Sequence, residues 1–253
     1  MSDLPRVIVT NDDGIDSPGL RMLAAGLADD FDVVVAAPAT DMSGSGTGIG
    51  GFDPVKGVDL TTVDMGGITA YTIAGPPGLA VMAAALGAFG RFPDLVVSGI
   101  NAGMNTGHSI IHSGTVGAAL TARTFRSRGI AISLAQSDPW QWNTAVEVGV
   151  SAARWLLGRT GSPYVLNVNV PGVPLSEVNG IHWADLDEFG YFRVANADVE
   201  YRKLQFVVGS SSAGTDPATD TALCAKNFVT MTPLATIEPA GFPDLDASSV
   251  WKP

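Results

Sequence analysis

Arg6-Val7-Ile8-Val9-Thr10 is a short β-branched run that stops at the polar turn Asn11-Asp12-Asp13-Gly14. Pro18 and Gly19 then open a stretch with Leu20, Leu23, Ala24 and Leu27 at helical spacing, because residues three and four apart share one face of a helix. Asp32-Val33-Val34-Val35-Ala36-Ala37 follows as a second apolar strand, halted by Pro38. Strands that are apolar without alternation are buried on both faces, and strand–helix–strand order makes them parallel neighbours. The pattern predicts an α/β fold, a Rossmann-like three-layer sandwich with a mostly parallel sheet.

The alternation continues to about residue 175. Strands are expected over 94–98, 130–134 and 164–170, with two short ones in 58–73 around Gly66-Gly67, and helices over 76–89, 115–125 and 144–157. Beyond this point residues 183–208 read as an extended hairpin and 227–232 as one more strand. The chain is therefore read as a single domain, 1–253, with 1–175 the core sheet and 176–253 the hairpin and tail. Tyr191, Phe192, Val194, Tyr201, Phe206, Val207 and Val208 crowd that hairpin with few turn signals. Such a hairpin cannot bury both faces on its own chain, so a second copy is expected to cover it, in a homodimer or homotetramer.

Hydrophobic residues make up 46% of the 253 and charged residues 15%, which favours a sizeable buried core over disorder. The net charge is −11, and the densest basic stretch is Arg123, Arg126 and Arg128. Polymeric nucleic acid is excluded as a partner, because its binders carry clustered positive charge. A small phosphate ester stays possible if a bound cation supplies the positive charge. Cys224 is the only cysteine, so there is no intramolecular disulfide and no all-cysteine metal site. The N-terminus lacks an apolar signal-type run, and the apolar stretch 79–89 is too short to span a bilayer. A soluble cytoplasmic protein with no membrane partner is expected.

In open parallel sheets, ligands sit beyond the carboxyl ends of the strands. Three loops fall at such ends, 11–16, 38–51 and 99–114, and all are rich in Gly, Ser, Asn and Asp. Adjacent carboxylates Asp12 and Asp13 repel unless a cation or proton intervenes, and oxygen-only ligands suit Mg²⁺, Mn²⁺ or Ca²⁺. The plainer alternative is that one Asp caps the following helix while the other is solvated. Gly46-Thr47-Gly48-Ile49-Gly50-Gly51 has a dinucleotide-like glycine pattern but no helix after it. Asp12, Asp13 and Asp16 lack the spacing of an EF-hand, no Gly-x-Ser-x-Gly elbow occurs, and the three histidines form no zinc cluster. His108 and His112 lie four apart in the third loop, either exposed or touching substrate; His182 reads as structural.

Three segments together resemble the SurE family of survival-protein nucleotidases. They are Thr10-Asn11-Asp12-Asp13-Gly14 with Pro18-Gly19; Ala37-Pro38 with Ser43-Gly44; and residues 93–103, Pro-Asp-Leu-Val-Val-Ser-Gly-Ile-Asn-Ala-Gly, continuing through Asn105, Gly107 and Ser113-Gly114-Thr115-Val116. Weaker matches follow at Asn167-Val168-Asn169-Val170-Pro171 and Thr232-Pro233-Leu234. The resemblance implies a divalent-metal-dependent phosphomonoesterase acting on nucleoside monophosphates or a related small phosphate ester. It places the metal, one Mg or Mn ion, on Asp12, Asp13, Ser43 and Asn101, with Asp12 and Asp13 also catalytic. It lines the phosphate and substrate pocket with Asn11, Gly44, Asn105, Ser113, Gly114 and Thr115, where His108 and His112 also belong. The chain departs from the family at His112 (usually Tyr), His108 (usually acidic), Thr121-Ala122 (usually Glu-Gly) and residues 75–80 (usually Gly-Thr-Pro-x-Asp-Cys). Retained ligands with altered surroundings imply phosphatase chemistry on a changed leaving group. A sugar or metabolite phosphatase and a catalytically silent ligand-binding member are the alternatives.

Overall fold

The computed structural model describes residues 4–161, 165–190, 192–200, 203–210 and 216–236, with backbone only for 192–200 and 203–210. Strand β1 (Arg6–Thr10) leads through helix α1 (Pro18–Leu27) to β2 (Asp32–Pro38). An outer pair, β3 (Leu60–Met65) and β4 (Ile68–Ile73), is followed by α2 (Pro77–Ala85), β5 (Leu95–Ala102), a 3₁₀ turn (His108–His112) and α3 (Gly114–Thr124). Then come β6 (Arg128–Leu134), α4 (Trp142–Leu157) and β7 (Val165–Val170). The last part holds β8 (Ile181–Trp183), β9 (Phe192–Glu200), β10 (Lys203–Ser210), α5 (Asp220–Cys224) and β11 (Val229–Leu234).

Among the described residues, nine strands form one sheet in the order β3-β4-β2-β1-β5-β6-β7-β11-β8. The strands from β4 to β7 run parallel, while β3 and β11 are antiparallel to their neighbours β4 and β7. The expected mostly parallel sheet is therefore present, and β11 and β8 extend it with strands from beyond residue 175. β9 and β10 pair antiparallel as a separate hairpin with a register shift between Val207 and Val208. The hairpin side chains that a second copy is expected to cover, and the tail from 237 onward, lie outside the described residues.

Side chains alternate across a strand, and the core divides accordingly. Val7, Val9, Val33, Val35 and Ile132 pack with Leu20, Leu23, Val148 and Leu156 of α1 and α4 on one face. Ile8, Val34, Ala36 and Val96 pack with Leu79, Val81, Ala118 and Ala122 of α2 and α3 on the other. Continuous burial of β1, β2 and β5 follows from this double cover. The sheet's carboxyl edge is left to the polar loops.

Candidate active site

β1 lies between β2 and β5. The chain leaves β1 for one neighbour and later returns to the other, so β1 is the point where the strand order reverses and a crevice opens. Local hydrogen bonding shapes the turn there. The Asn11 side-chain amide donates to Gly14 O at 3.0 Å and its Oδ1 accepts from the Gly14 N–H at 3.2 Å. The loop after β2 is tied on through the Met42 N–H to Asp12 O at 2.7 Å and the Ile15 N–H to Pro38 O at 2.9 Å. The loop after β5 closes the ring. The Thr115 hydroxyl donates to Asp12 Oδ1 and lies 3.3 Å from Asn101 Oδ1, and the Gly46 N–H donates to His112 O at 3.1 Å.

The two carboxylates sit differently. Asp12 is only 3% exposed and has the Thr115 hydroxyl on one oxygen. Asp13 is half-buried, and its Oδ2 is buried with no hydrogen-bond partner. Burial, helped by the charges of Asp12 and Asp41, raises the Asp13 carboxyl from 3.8 to about 6, against a lowering hydrogen bond from the Ala102 backbone. Helix α1 has Ser17 at its N-cap with no side-chain cap, so neither Asp serves as its cap. The capping-and-solvation alternative does not describe this pair.

An orphaned buried carboxylate oxygen beside a second carboxylate fits a hard cation, which would offset both the desolvation and the repulsion. Asn101 contributes an amide oxygen on the same ring of contacts, and its Nδ2 is committed to Gly103 O at 2.7 Å. Ser43 is exposed and donates from both N–H and hydroxyl to Asp41 Oδ1, at 2.7 and 2.6 Å. Those bonds hold the Asp41 carboxyl below its ordinary range. Among the described residues no three His, Cys, Asp or Glu side chains form a metal cluster, so a cation here draws on amide and hydroxyl oxygens as well as the two carboxylates.

Helix α3 starts at this point. Ser113 caps it by accepting from the Val116 N–H at 3.2 Å. The first-turn N–H groups of Gly114 and Thr115 have no intrahelical acceptor and favour an anion. A Cβ added at Gly114 would lie 2.8 Å from Asp12 Oδ2 and 2.5 Å from Ser45 Oγ, so glycine lets the helix end approach the carboxylate. Asn105 is held by its N–H to Asn169 Oδ1 at 2.8 Å, its Nδ2 to Ser133 at 2.9 Å, and its carbonyl to both Asn167 and Asn169 at 2.8 Å. His108, His112 and Gly44 are exposed on the surrounding loops. His182 is remote, on β8, edge-on to Phe228 at 4.5 Å.

Sequence reasoning assigned no role to Asp41, Ser45, Ser133, Asn167 or Asn169. The last two carried a usable signal, since polar residues two apart on an otherwise apolar strand point to one face. Cavities of about 810 Å³ (beside Trp155 and Trp183), 980 Å³ (beside Leu120 and Phe125) and 330 Å³ (between Met104, Pro171 and Cys224) include neither Asp12 nor Asp13 in their lining. Buried charge at the convergence of three loops marks the site instead.

Fold and site together define an α/β protein with an acidic, oxygen-rich centre at the switch point of a mostly parallel sheet. The model of the family described as survival protein SurE matches residues 7–192. The 5'-nucleotidase SurE of Chloroflexus aggregans is 35% identical over 234 residues, covering 90% of this chain and 92% of that protein. Its counterpart in Deinococcus radiodurans is 36% identical over 242 residues, covering 91% and 87%. The crystal structure of the SurE protein from Aquifex aeolicus superposes with a TM-score of 0.78 at 27% identity, over 91% of this chain and 93% of that one. The chain belongs to the SurE family.

Proposed function

We propose that the protein is a divalent-metal-dependent phosphomonoesterase that hydrolyses nucleoside monophosphates or a closely related small phosphate ester. The observation that carries this reading is Asp13, with one buried unpartnered oxygen, beside the buried Asp12 at the sheet's switch point. The names of the nucleotidase relatives support the substrate class. Asp12, Asp13, Ser43 and Asn101 would hold the cation, Mg or Mn by the hardness of the donors. When bound, it supplies positive charge to the phosphate and makes its water a better nucleophile at neutral pH.

The chain's own residues do the rest. Thr115 fixes the Asp12 carboxylate by a hydroxyl donor, as supporting residues orient metal ligands. Asp13 takes the proton of the attacking water as the water oxygen bonds to phosphorus and the phosphorus–ester oxygen bond breaks, and that proton passes to the departing alkoxide, which leaves as the alcohol. The N–H groups at the start of α3 bind the phosphate, with Ser113, Gly114 and Thr115 forming that wall and Asn11, Gly44 and Asn105 lining the rest of the phosphate and substrate pocket. His108 and His112, exposed beside this wall, stand where the family carries an acidic residue and a tyrosine. They favour a second reading in which the leaving group is a different phosphorylated metabolite.

The decisive assay is phosphate release from a panel of nucleotides, sugar phosphates and simple esters, with Mg²⁺ and Mn²⁺ supplied in turn. Silence across the panel sinks the phosphatase, and binding of a phosphorylated ligand without release would favour the ligand-binding alternative. The hairpin reading adds a homodimer or homotetramer, tested by light scattering after size exclusion. A monomer mass at micromolar concentration would remove it. No helix among the described residues is long and apolar enough to cross a membrane.

A further inference from the structure

Asp220 opens the short helix α5 and is fully buried, at 0% exposure. An ionisable group so placed must have its oxygens satisfied. Oδ1 accepts from the Thr221 N–H at 2.8 Å and from the Asp187 N–H at 3.0 Å, and Oδ2 accepts from the Gly107 N–H at 2.9 Å. The donors come from three separate segments. Burial still raises the Asp220 carboxyl above its ordinary range, against the lowering effect of these bonds.

Asp187 is a second buried carboxylate beside it. Its Oδ1 accepts from the N–H groups of Phe189 and Gly190 at 3.0 and 3.3 Å, and its carbonyl accepts from the His108 N–H at 3.0 Å. Backbones meet directly here. A Cβ added at Gly107 would lie 2.3 Å from Gly190 N, and one added at Gly190 would lie 2.0 Å from Thr106 O. The pair of aspartates therefore pins the middle of residues 102–113 to α5 and to the root of the β9–β10 hairpin.

That span begins and ends on the candidate site. At its start the Ala102 backbone hydrogen-bonds Asp13; just past its end the Thr115 hydroxyl donates to Asp12. The start of the span is held as well by Asn105 and by the Gly103 N–H to Leu134 O at 2.9 Å, past the register shift of β5 against β6 between Ser98 and Asn101. The tie at Gly107 holds the stretch from Thr106 into the His108–His112 turn, which leads to Thr115. We propose that Asp220 is a positioning residue for the Asp12–Asp13 site: by holding the Gly107 N–H it fixes the loop that touches both carboxylates. Its kinetic consequence rests on the phosphatase reading above; its structural one does not.

Asp220→Asn tests this, because its amide would turn N–H donors toward the Gly107 or Asp187 N–H. Hydrogen–deuterium exchange is measured on peptides covering 103–109 and, as a reference, 20–27. Kinetics use para-nitrophenyl phosphate at saturating Mn²⁺. Exchange over 103–109 should rise at least tenfold with the reference unchanged. In the folded variant kcat/KM should fall on the order of tenfold to a hundredfold, the range for one charge-assisted hydrogen bond. Unchanged exchange over 103–109, or wild-type kinetics with a released loop, overturns the proposal. If Asp220→Asn does not fold, Asp187→Asn is held to the same outcomes; loss of folding in both would make the pair a requirement of the fold and overturn the positioning role. If wild-type protein hydrolyses no ester, the phosphatase reading fails separately. Mn²⁺ affinity by calorimetry then replaces the kinetics, a several-fold weakening in the variant being expected and an unchanged affinity overturning the proposal.

Discussion

Asp13→Asn separates the energetic cost of the carboxylate pair from its use. The Asp13 carboxyl titrates near 6 instead of 3.8, so the native protein binds that proton more tightly than the unfolded chain does. Stability from this group is therefore greatest below the unfolded value, declines as pH rises through the window from 3.8 to about 6, and stays reduced above it. Taken at full value the reduction is about 3 kcal/mol at about 1.4 kcal/mol per pH unit. Water reaches part of this half-buried group, and screening leaves about 1.5 kcal/mol. Asparagine removes the charge and leaves one buried polar atom without a partner, as before. Metal-free Asp13→Asn should then melt about 3–6 °C above wild type at pH 8, by the usual conversion for a chain of this size, and together with it near pH 3.5. Mn²⁺ should reverse the order by stabilising wild type alone. Phosphate release should fall on the order of a hundredfold or more, as for loss of a metal-catalysis ligand. The measurements are melting curves in chelator at both pH values, repeated with Mn²⁺, beside a phosphate-release assay. A variant that melts below wild type at pH 8 without metal, or that retains hydrolysis with ordinary metal dependence, would refute the reasoning.

Thr115→Val is nearly isosteric at a fully buried position but strips Asp12 of its hydroxyl donor. A hydrogen bond to a charged group contributes about 1.5–3 kcal/mol, so Mn²⁺ affinity by calorimetry should drop about tenfold or more, and an unchanged affinity would detach Thr115 from the site. Gly114→Ala should destabilise by about 1–3 kcal/mol through overpacking, although alanine ordinarily improves a helix by up to about 1 kcal/mol; a raised melting temperature would show that the helix end is not pressed onto Asp12. Chelator should lower the melting temperature of metal-loaded wild type at pH 8 and leave Asp13→Asn where it was, which a simple melting series decides.

The sheet and its direction were legible in the sequence because burial on both faces forces unbroken apolar strands. Residues 6–10, 32–37 and 94–98 each show that pattern before any coordinate is known, although the third strand runs on through Ser98 and Gly99 to Ala102, into the stretch expected to be loop. The three polar loops were legible for the same reason, as the places where such runs stop. Element ends were less so: α2 stops at Ala85 and not near residue 89, since small apolar residues continue past the helix and leave no periodic signal. β11 was recognisable as a strand, but not its place between β7 and β8, because pairing with strands distant in sequence leaves no local trace.

The chain alone could put Asp12 beside Asp13, since adjacency is written in the order of residues. Which of the two would be sealed and which left with an empty oxygen depended on Thr115 of α3, Ala102 of β5 and Asp41 of the loop after β2. The pinning of the Gly107 loop by Asp220 is of the same kind, joining residues 113 positions apart. Hydrophobic pattern repeats along the chain and can be read locally. The partners of a buried charge are single atoms brought from a distance, and only folding brings them there.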